Sequence, residues 1–211
     1  MNNGDASASV FNKLAQQYRD KYMDLTIYDA TYRKFCELLN KGHARVLDAA
    51  CGPGNVSRFL MAQLPELDLL GIDLAPRMVE LAQAEAPSAQ FKMHDCRRLL
   101  DLGQRFDGIV CAFGLPYLSS SEVVEFVRSS REILDADGVL YLSFMEGKSE
   151  DSGFQTSSSG DRMYINYHSE PQIRDALLSH GFTIAEWSRL SSPSNAPKPT
   201  TDVVVIAKNQ K

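Results

Sequence analysis

Several features that would mark a membrane, secreted or nucleic-acid-binding protein are missing from this 211-residue sequence. No apolar run approaches the roughly 18 residues of a transmembrane helix, and the opening MNNGDASASV lacks the basic and apolar segments of a secretion signal. Lys and Arg total 22 against 27 Asp and Glu, and this net charge of −5 argues against a broad basic surface for nucleic acid. We therefore expect a cytoplasmic protein with neither a membrane nor a nucleic acid as its partner.

The four cysteines are few and widely spaced, with no CxxC pair and no paired histidine. We interpret them as reduced thiols of an intracellular protein. Cys51, Cys96 and Cys111 all follow predicted strands, so a metal cluster at one pocket is an alternative interpretation. Small buried thiols fit better, because histidine ligands are missing apart from neighbouring His94. We expect no bound metal.

The composition is that of an ordinary globular domain, with 44% apolar and 23% charged residues. A chain of this length buries enough surface to fold without disulfides or metals. From residue 45 onwards, short apolar runs alternate with helical patterns. The predicted strands are Arg45–Ala50, Leu67–Asp73, Ala89–His94, Phe106–Phe113 and Val139–Met145, and the predicted helices are Asn55–Leu64, Pro76–Ala86 and Ser121–Leu134. This alternation predicts βαβ units and a mostly parallel sheet.

The N-terminal segment lacks this alternation. Residues 1–9 are small and polar, which predicts a mobile end. Apolar and aromatic residues recur at helical spacing over Phe11–Leu39, which predicts two helices, the second ending at Gly42.

The C-terminal part departs from the alternation as well. We expect Ser119 to cap the helix that starts near Ser121, and Asp137-Gly138 to end it. Residues 146–160 are rich in serine, threonine and glycine and predict an exposed loop. A helix over Glu170–His180 follows, capped by Ser169. The last two predicted strands, joined by a short Pro-rich connection that favours an antiparallel hairpin, are Phe182–Leu190 and Asp202–Ala207.

The segment VLDAACGPGN carries the strongest chemical signal. A buried strand ends at Asp48, and Gly52 and Gly54 then make a turn that opens a helix. Glycines there permit backbone conformations closed to other residues and let a ligand lie against the main chain. In a doubly wound sheet this is the first β–α turn, where ligands bind.

Two further acids follow the next predicted strands. Asp73 comes 21 residues after Gly52, where a carboxylate accepts the hydroxyl hydrogens of a ribose, and Asp95 suits an exocyclic amine. A dinucleotide normally requires a third glycine, but Ser57 stands in that place. Acids at three strand ends disfavour a pyrophosphate and favour a nucleoside that carries a cationic amine and a sulfonium.

An ordered set of motifs carries a family resemblance over roughly residues 11–207. VLDAACGPGN, GIDLAPRMVELA, HDC and FDGIVCAFGLPYL resemble the glycine-rich, ribose, adenine and fourth-strand segments of class I S-adenosylmethionine-dependent methyltransferases of the small-molecule, type 11 kind. The resemblance implies a Rossmann-like α/β fold: a seven-stranded, mostly parallel sheet with a C-terminal antiparallel hairpin and helices on both faces. It also implies a helical lid over residues 1–42 and a methyltransferase domain over 43–211, with an insertion near 146–168.

The resemblance also implies roles for particular residues. Asp48 is expected to hold the ammonium of S-adenosyl-L-methionine, Asp73 the ribose and Asp95 adenine N6, with S-adenosyl-L-homocysteine as product. The cofactor-binding set is Tyr18, Tyr22, Asp48, Ala50, Gly52, Gly54, Asp73, Leu74, Met78, Asp95, Cys96, Cys111, Ala112 and Phe113. The candidate substrate residues are Tyr117, Tyr164, Tyr167 and His168.

Other interpretations remain open at this point. His168 is a candidate general base, or alternatively a surface histidine before the Ser169 cap. The segment Gly114–Tyr117 lacks the leading Asp or Asn of the motif used by amide and adenine N-methyltransferases, so nucleobase or glutamine methylation is not inferred. We expect methyl transfer to N, O or S of a small molecule by a monomer or homodimer. The alternatives are a nicotinamide oxidoreductase and a non-catalytic S-adenosylmethionine-binding module.

Overall fold

Apolar strands separated by helices form a central sheet in the computed structural model, which describes residues 3–39, 41–156, 160–194, 196 and 199–210. The strands of these residues are β1 (Arg45–Ala49), β2 (Asp68–Asp73), β3 (Gln90–Met93), β4 (Phe106–Cys111), β5 (Leu134–Glu146), β6 (Gly153–Thr156), β7 (Arg162–Ile165), β8 (Phe182–Ser191) and β9 (Thr201–Asn209). The α-helices are α1 (Asn3–Tyr22), α2 (Asp29–Leu39), α3 (Asn55–Gln63), α4 (Pro76–Glu85), α5 (Ser120–Ile133) and α6 (Glu170–Ser179).

The main sheet has seven strands in the order β3-β2-β1-β4-β5-β9-β8. Strands β1 to β5 pair in parallel, whereas β9 runs antiparallel to both β5 and β8. The Rossmann-like α/β fold and the reversed C-terminal hairpin are therefore confirmed. The order reverses direction between β1 and β4, which places a crevice at the carboxyl ends of these two strands.

Helices cover both faces of the sheet, and each face has its own apolar core. Neighbouring residues of one strand point to opposite cores, as Val46 and Leu47 of β1 do. Helices α2, α3 and α4 lie on one face, and α5 and α6 lie on the other. Burial on both faces explains why β4 is apolar and buried along its whole length.

Helix α1 is not part of either layer and packs instead against α4 and β7, at the carboxyl edge of the sheet. The Lys13 ammonium pairs with Asp161 at 2.8 Å, and Arg19 pairs with Glu85 of α4. The helix therefore covers the crevice at the switch point. Within the described ranges, no helix combines the length and the apolar character that crossing a bilayer demands.

Two expectations about irregular segments are wrong. The mobile end expected over residues 1–9 is helical from Asn3, with Met1 and Asn2 lying outside the described residues. The loop expected over 146–160 contains β6, which pairs with β7 as a separate two-stranded ribbon, and residues 157–159 lie outside the described ones. The ribbon forms because Gly153–Thr156 and Arg162–Ile165 pair antiparallel, which gives the backbone groups of both segments hydrogen-bond partners.

Two residues or pairs expected to end or cap a helix, Asp137-Gly138 and Ser169, do not do so. Helix α5 ends at Ile133, before Asp137-Gly138, because the Arg105 guanidinium donates to the Glu132 carbonyl and β5 pairing starts at once. Ser169 precedes α6 without a side-chain capping hydrogen bond. The Ser119 cap is confirmed as a capping box with Glu122.

Candidate functional site

The turn after β1 is built by three residues in the left-handed region. Ala50, Gly52 and Gly54 have φ values of 61°, 54° and 89°. A Cβ at Gly52 would meet no atom within 4 Å, so this glycine leaves room for a ligand. A Cβ at Gly54 would lie 2.8 Å from the Ala82 Cα, so Gly54 allows α3 and α4 to pack closely. Gly54 therefore serves helix packing, and its expected place beneath the cofactor stays a prediction.

Asp48, near the carboxyl end of β1, has a buried carboxylate of which only one oxygen accepts a hydrogen bond. Asp48 is 1% exposed, and the Ser57 hydroxyl donates a hydrogen bond to its Oδ2 at 2.6 Å. The other oxygen, Oδ1, has no hydrogen-bond partner among the described residues. Burial raises the pKa of Asp48 to about 7, although the Ser57 hydrogen bond opposes this effect. Ser57, which the sequence marked only as replacing the third glycine of a dinucleotide motif, thus orients the Asp48 carboxylate.

Asp73 is held at the end of β2 by backbone donors. Its Oδ2 accepts from the Gly52 N–H at 3.0 Å, and its Oδ1 accepts from the Ala75 N–H at 2.8 Å. Burial raises the pKa of Asp73, whereas these backbone hydrogen bonds lower it. The carboxylate therefore links the first two β–α turns, and each oxygen retains a lone pair for a ligand.

Asp95 follows β3 and pairs with an arginine that sequence reasoning missed. The Arg97 Nε donates to both carboxylate oxygens at 2.9 Å, and the Arg97 backbone N–H donates to Oδ1 at 2.9 Å. Burial raises the pKa of Asp95, but the hydrogen bonds and charge of Arg97 outweigh it and lower the pKa. Asp95 is thus an ionised, firmly oriented acceptor.

Asp73 and Asp95 border a small cavity of about 100 Å³, called here the narrow cavity. It lies between the strand ends and the first turns of α1. Its lining contains the expected residues Tyr18, Ala50, Gly52, Asp73, Leu74, Met78, Asp95, Cys96, Ala112, Phe113 and Tyr117. The structure therefore brings most of the predicted cofactor set to one place.

A second, broad cavity of about 560 Å³ adjoins the narrow one. Its predicted lining residues are Tyr18, Tyr22, Asp48, Ala50, Gly52, Ala112, Phe113, Tyr117 and Tyr167. Residues that line both cavities form the junction between them, namely Phe11, Tyr18, Ala50, Gly52, Ala112, Phe113 and Tyr117. Phe113 has a φ of 57°, and its N–H donates to the Ser143 hydroxyl at 2.9 Å, which fixes this unusual backbone at the junction.

Three further predicted residues line neither cavity. The Cys111 sulfur lies in the core beneath Gly114, where a Cβ would approach it to 2.6 Å. Tyr164 packs against Phe154, with ring centroids 5.2 Å apart, because alternate residues of β7 face opposite sides. His168, considered as a base or a surface residue, is buried with Nε2 2.9 Å from the Leu115 carbonyl oxygen. Burial lowers the pKa of His168, so the ring is a neutral core group.

Sequence reasoning also missed residues that line the broad cavity. Phe11 belongs to the same helical stripe as Tyr18, so the periodicity of α1 could have indicated it. No local motif marks the other missed residues, which are Tyr28 just before α2, Met163 and Ile165 in β7, and Asp202 in β9. Their assembly depends on pairing between distant segments.

The cysteines near the site behave as buried thiols. Cys51 lines the broad cavity and Cys96 the narrow one, while burial raises the pKa of Cys51, Cys96 and Cys111. No group of three or more His, Cys, Asp or Glu side chains in the described part of the chain is arranged to hold a metal ion.

Comparison with known proteins agrees with this geometry. The model of a family described as "Methyltransferase domain" matches residues 46–138. A demethylmenaquinone methyltransferase of Thermotoga maritima is 31% identical over 136 residues, which cover 63% of this chain and 58% of that protein. A demethylmenaquinone methyltransferase of Deinococcus radiodurans is 31% identical over 119 residues, covering 53% and 49%. The chain spans about half the length of these curated relatives.

A solved structure extends the likeness to the whole chain. Magnesium protoporphyrin IX methyltransferase from Synechocystis PCC 6803 has a TM-score of 0.75 and 20% identity, with 99% of this chain and 100% of that chain covered. At this identity the likeness concerns the fold. Residues 46–138 therefore match the methyltransferase domain family, and the chain as a whole has the Rossmann-like α/β fold seen in this methyltransferase structure.

Proposed function

We propose that this chain is an S-adenosylmethionine-dependent methyltransferase that methylates an N, O or S atom of a small molecule. The cofactor supplies a methyl group on a sulfonium, which is already a strong electrophile. The observation that carries the proposal is the buried Asp48 Oδ1, which lacks a partner within the described residues and belongs to a cavity-lining side chain. A buried carboxylate calls for a cation, and the cofactor's ammonium is one.

The other polar groups fit the remainder of the cofactor. Asp73 has lone pairs for the ribose hydroxyls, and Asp95, oriented by Arg97, can accept from the adenine amine. Leu74 and Met78 supply apolar surface in the same narrow cavity. Gly52 leaves space for a ligand beside the main chain. This assignment of residues rests on the family resemblance together with their common cavity.

The protein's own part in the reaction is to hold two reactants together and to exclude water. In this proposal the adenosine half occupies the narrow cavity and the methyl acceptor occupies the broad one. Reaction then takes place at the junction, where Tyr18, Phe113 and Tyr117 exclude solvent. Helix α1 and α2 serve as the N-terminal lid, and the β6–β7 ribbon is an insertion that helps to enclose the acceptor.

The experiment is calorimetry of S-adenosylhomocysteine binding at pH 8 and pH 6. Because burial raises the pKa of Asp48 to about 7, the free protein holds a proton there below pH 7 and must release it to bind the ammonium. The affinity should therefore fall about tenfold between pH 8 and pH 6. Asp48→Asn should remove most of this pH dependence, because its side chain does not ionise.

The exposed Asp68, at the start of β2, offers a matched control. Asp68→Asn should retain both the affinity and its pH dependence. Absence of S-adenosylhomocysteine binding at millimolar concentration would contradict the proposal, and retention of NAD in its place would favour an oxidoreductase. Binding without transfer to any member of a broad acceptor panel would indicate a non-catalytic module.

A further inference from the structure

The broad cavity contains a second buried carboxylate, on a side of the cavity formed by the C-terminal hairpin. Asp202 of β9 has 2% exposure. The Tyr28 hydroxyl donates to its Oδ2 at 2.6 Å, and the Thr200 hydroxyl donates to its Oδ1 at 2.9 Å. Both hydrogen bonds are donated to the acid, which is the arrangement that an ionised carboxylate requires.

This Tyr28–Asp202 pair lies close to the junction of the two cavities. The Tyr28 ring contacts the Phe113 ring, with centroids 5.1 Å apart, and Phe113 lines both cavities. Asp202 is paired in register with Met145 at the carboxyl end of β5, and both line the broad cavity. The pair is therefore one aromatic ring away from the place assigned to methyl transfer.

The charges of the broad cavity restrict what it can hold. Its lining includes the buried carboxylates Asp48 and Asp202. Among the described lining residues the one basic side chain is Lys21, which is exposed and lies over the Tyr22 ring. With the cofactor's ammonium on Asp48, an anionic acceptor would still bury its charge near Asp202 with no buried basic side chain of the described lining to offset it, which is costly. A neutral acceptor pays no such penalty.

The aromatic chemistry of the walls favours a flat ring. Aromatic side chains line much of the broad cavity, among them Phe11, Tyr18, Tyr22, Tyr28, Phe113 and Tyr117. Aromatic side chains pack well against other aromatic rings, in stacked or edge-on contacts. A neutral aromatic compound that has a hydroxyl group can place its ring among these walls and donate its O–H to the Tyr28 oxygen.

We propose, on the basis of the proposed function, that the acceptor is a neutral hydroxylated aromatic compound and that Tyr28 and Asp202 take up its proton. The acceptor oxygen forms a bond to the methyl carbon as the bond between that carbon and the sulfonium sulfur breaks. The acceptor's O–H proton passes to the Tyr28 oxygen, and the Tyr28 proton passes to Asp202. The products are the methyl ether, neutral S-adenosylhomocysteine and a protonated Asp202.

The surroundings of Asp202 support this role. Burial raises the pKa of Asp202, although the hydrogen bonds from Tyr28 and Thr200 oppose the effect, and a raised pKa makes the carboxylate a better proton acceptor. His168, the base considered from the sequence, donates from Nε2 to the Leu115 carbonyl oxygen in the core and lines neither cavity. Tyr28 and Asp202 thus line the acceptor cavity, where a proton acceptor is needed, whereas His168 does not.

The test uses 2-naphthol and 2-naphthoate, which share a ring system and differ in charge. Both are titrated into protein saturated with S-adenosylhomocysteine. Wild type should bind 2-naphthol at least about tenfold more tightly than 2-naphthoate, because the anion meets buried carboxylates. Since 2-naphthol is a much stronger acid in its excited state, bound naphthol beside a proton acceptor should show naphtholate emission.

Two variants then examine the pair itself. Asp202→Asn and Tyr28→Phe should each lose the naphtholate emission, and each should bind 2-naphthol about five- to tenfold more weakly. Asp175→Asn, on the exposed side of α6, and Tyr164→Phe, which faces away from the cavity, are matched controls that should behave as wild type. The fold of each variant is checked by its S-adenosylhomocysteine affinity, which should stay unchanged.

The outcomes separate this inference from the proposed function. If the protein binds no S-adenosylhomocysteine, both proposals fail together. If it binds S-adenosylhomocysteine but prefers 2-naphthoate, or binds no 2-naphthol, the neutral aromatic acceptor is overturned alone. Naphtholate emission that survives in Asp202→Asn or in Tyr28→Phe would overturn the proton transfer through this pair.

Discussion

The two cavities are next to each other, yet they are built in different ways. The narrow cavity is made largely by the ends of β1, β2 and β3 and the turns that follow, so its carboxylates, Asp73 and Asp95, lie in one short stretch of the chain. They are held by backbone hydrogen bonds, such as those from Gly52 and Ala75 to Asp73. The broad cavity is assembled from α1, the residues before α2, the β6–β7 ribbon and the C-terminal hairpin. Several of these distant segments meet through side chains, as Tyr28 and Asp202 do.

This difference affects both stability and specificity. The residues of the narrow cavity that follow strand ends are held rigidly, because each strand is hydrogen-bonded to its neighbours in the sheet. The helix and the ribbon that enclose the broad cavity are joined in part by an ion pair, Lys13–Asp161, whose lysine is exposed. Changes in the first region should therefore cost stability or cofactor affinity, whereas changes in the cover of the second should cost little stability.

The largest effect is expected at Gly54, on the cofactor side. Gly54→Ala forces a Cβ to within 2.8 Å of the Ala82 backbone at a φ of 89°, so overlap and left-handed strain add together. We expect the free energy of unfolding in urea to fall by about 3 kcal/mol. Gly103→Ala, at a φ of 64° with no atom within 4 Å, should cost only about 1 kcal/mol. Equal losses would mean that the α3–α4 contact contributes nothing.

A smaller effect is expected for the acid that links the first two turns. Asp73→Ala should weaken S-adenosylhomocysteine binding by about 1–3 kcal/mol, because the ribose hydroxyls lose their acceptor. Calorimetry measures this, and urea unfolding of the same variant shows how much stability the loss of the Gly52 and Ala75 partners removes. Asp101→Ala, at an exposed position, should leave the affinity unchanged. Unchanged affinity in Asp73→Ala would mean that the ribose lies elsewhere.

The smallest effect is expected in the cover of the broad cavity. Lys13 is 63% exposed, so its ion pair with Asp161 is screened by water and contributes little. Lys13→Ala should lower the free energy of unfolding by no more than about 0.5 kcal/mol, as should Lys34→Ala, which removes another exposed pair with Glu37. A loss well above 1 kcal/mol at Lys13 alone would show that α1 depends on this contact and would remove the contrast between the two regions.

The parts of the site that could be predicted follow the same division. Asp48, Gly52, Asp73 and Asp95 are indicated by strand ends and spacing, because a parallel sheet brings successive carboxyl ends to one edge. Of the two tyrosines predicted near the β6–β7 ribbon, Tyr167 lines the broad cavity, whereas Tyr164 packs against Phe154 on the other face. Sequence does not show which face of a two-stranded ribbon is covered.

Partners of the predicted residues were harder to foresee. Ser57 on Asp48 and Arg97 on Asp95 are close in sequence, but serine and arginine are common on helices and turns and carry no signal of their own. The Tyr28–Asp202 hydrogen bond joins residues 174 positions apart. No periodicity or motif connects them.

The sequence by itself determined the alternation of strands and helices, the glycine turn after β1 and the row of acids at the strand ends. These follow from local patterns of burial, backbone freedom and charge. Only the tertiary structure decided that Gly54 faces a helix, that His168 belongs to the core, and that Tyr28 and Asp202 share a cavity wall. Such facts depend on how distant segments pack against one another, and packing is set by the whole chain rather than by any one stretch of it.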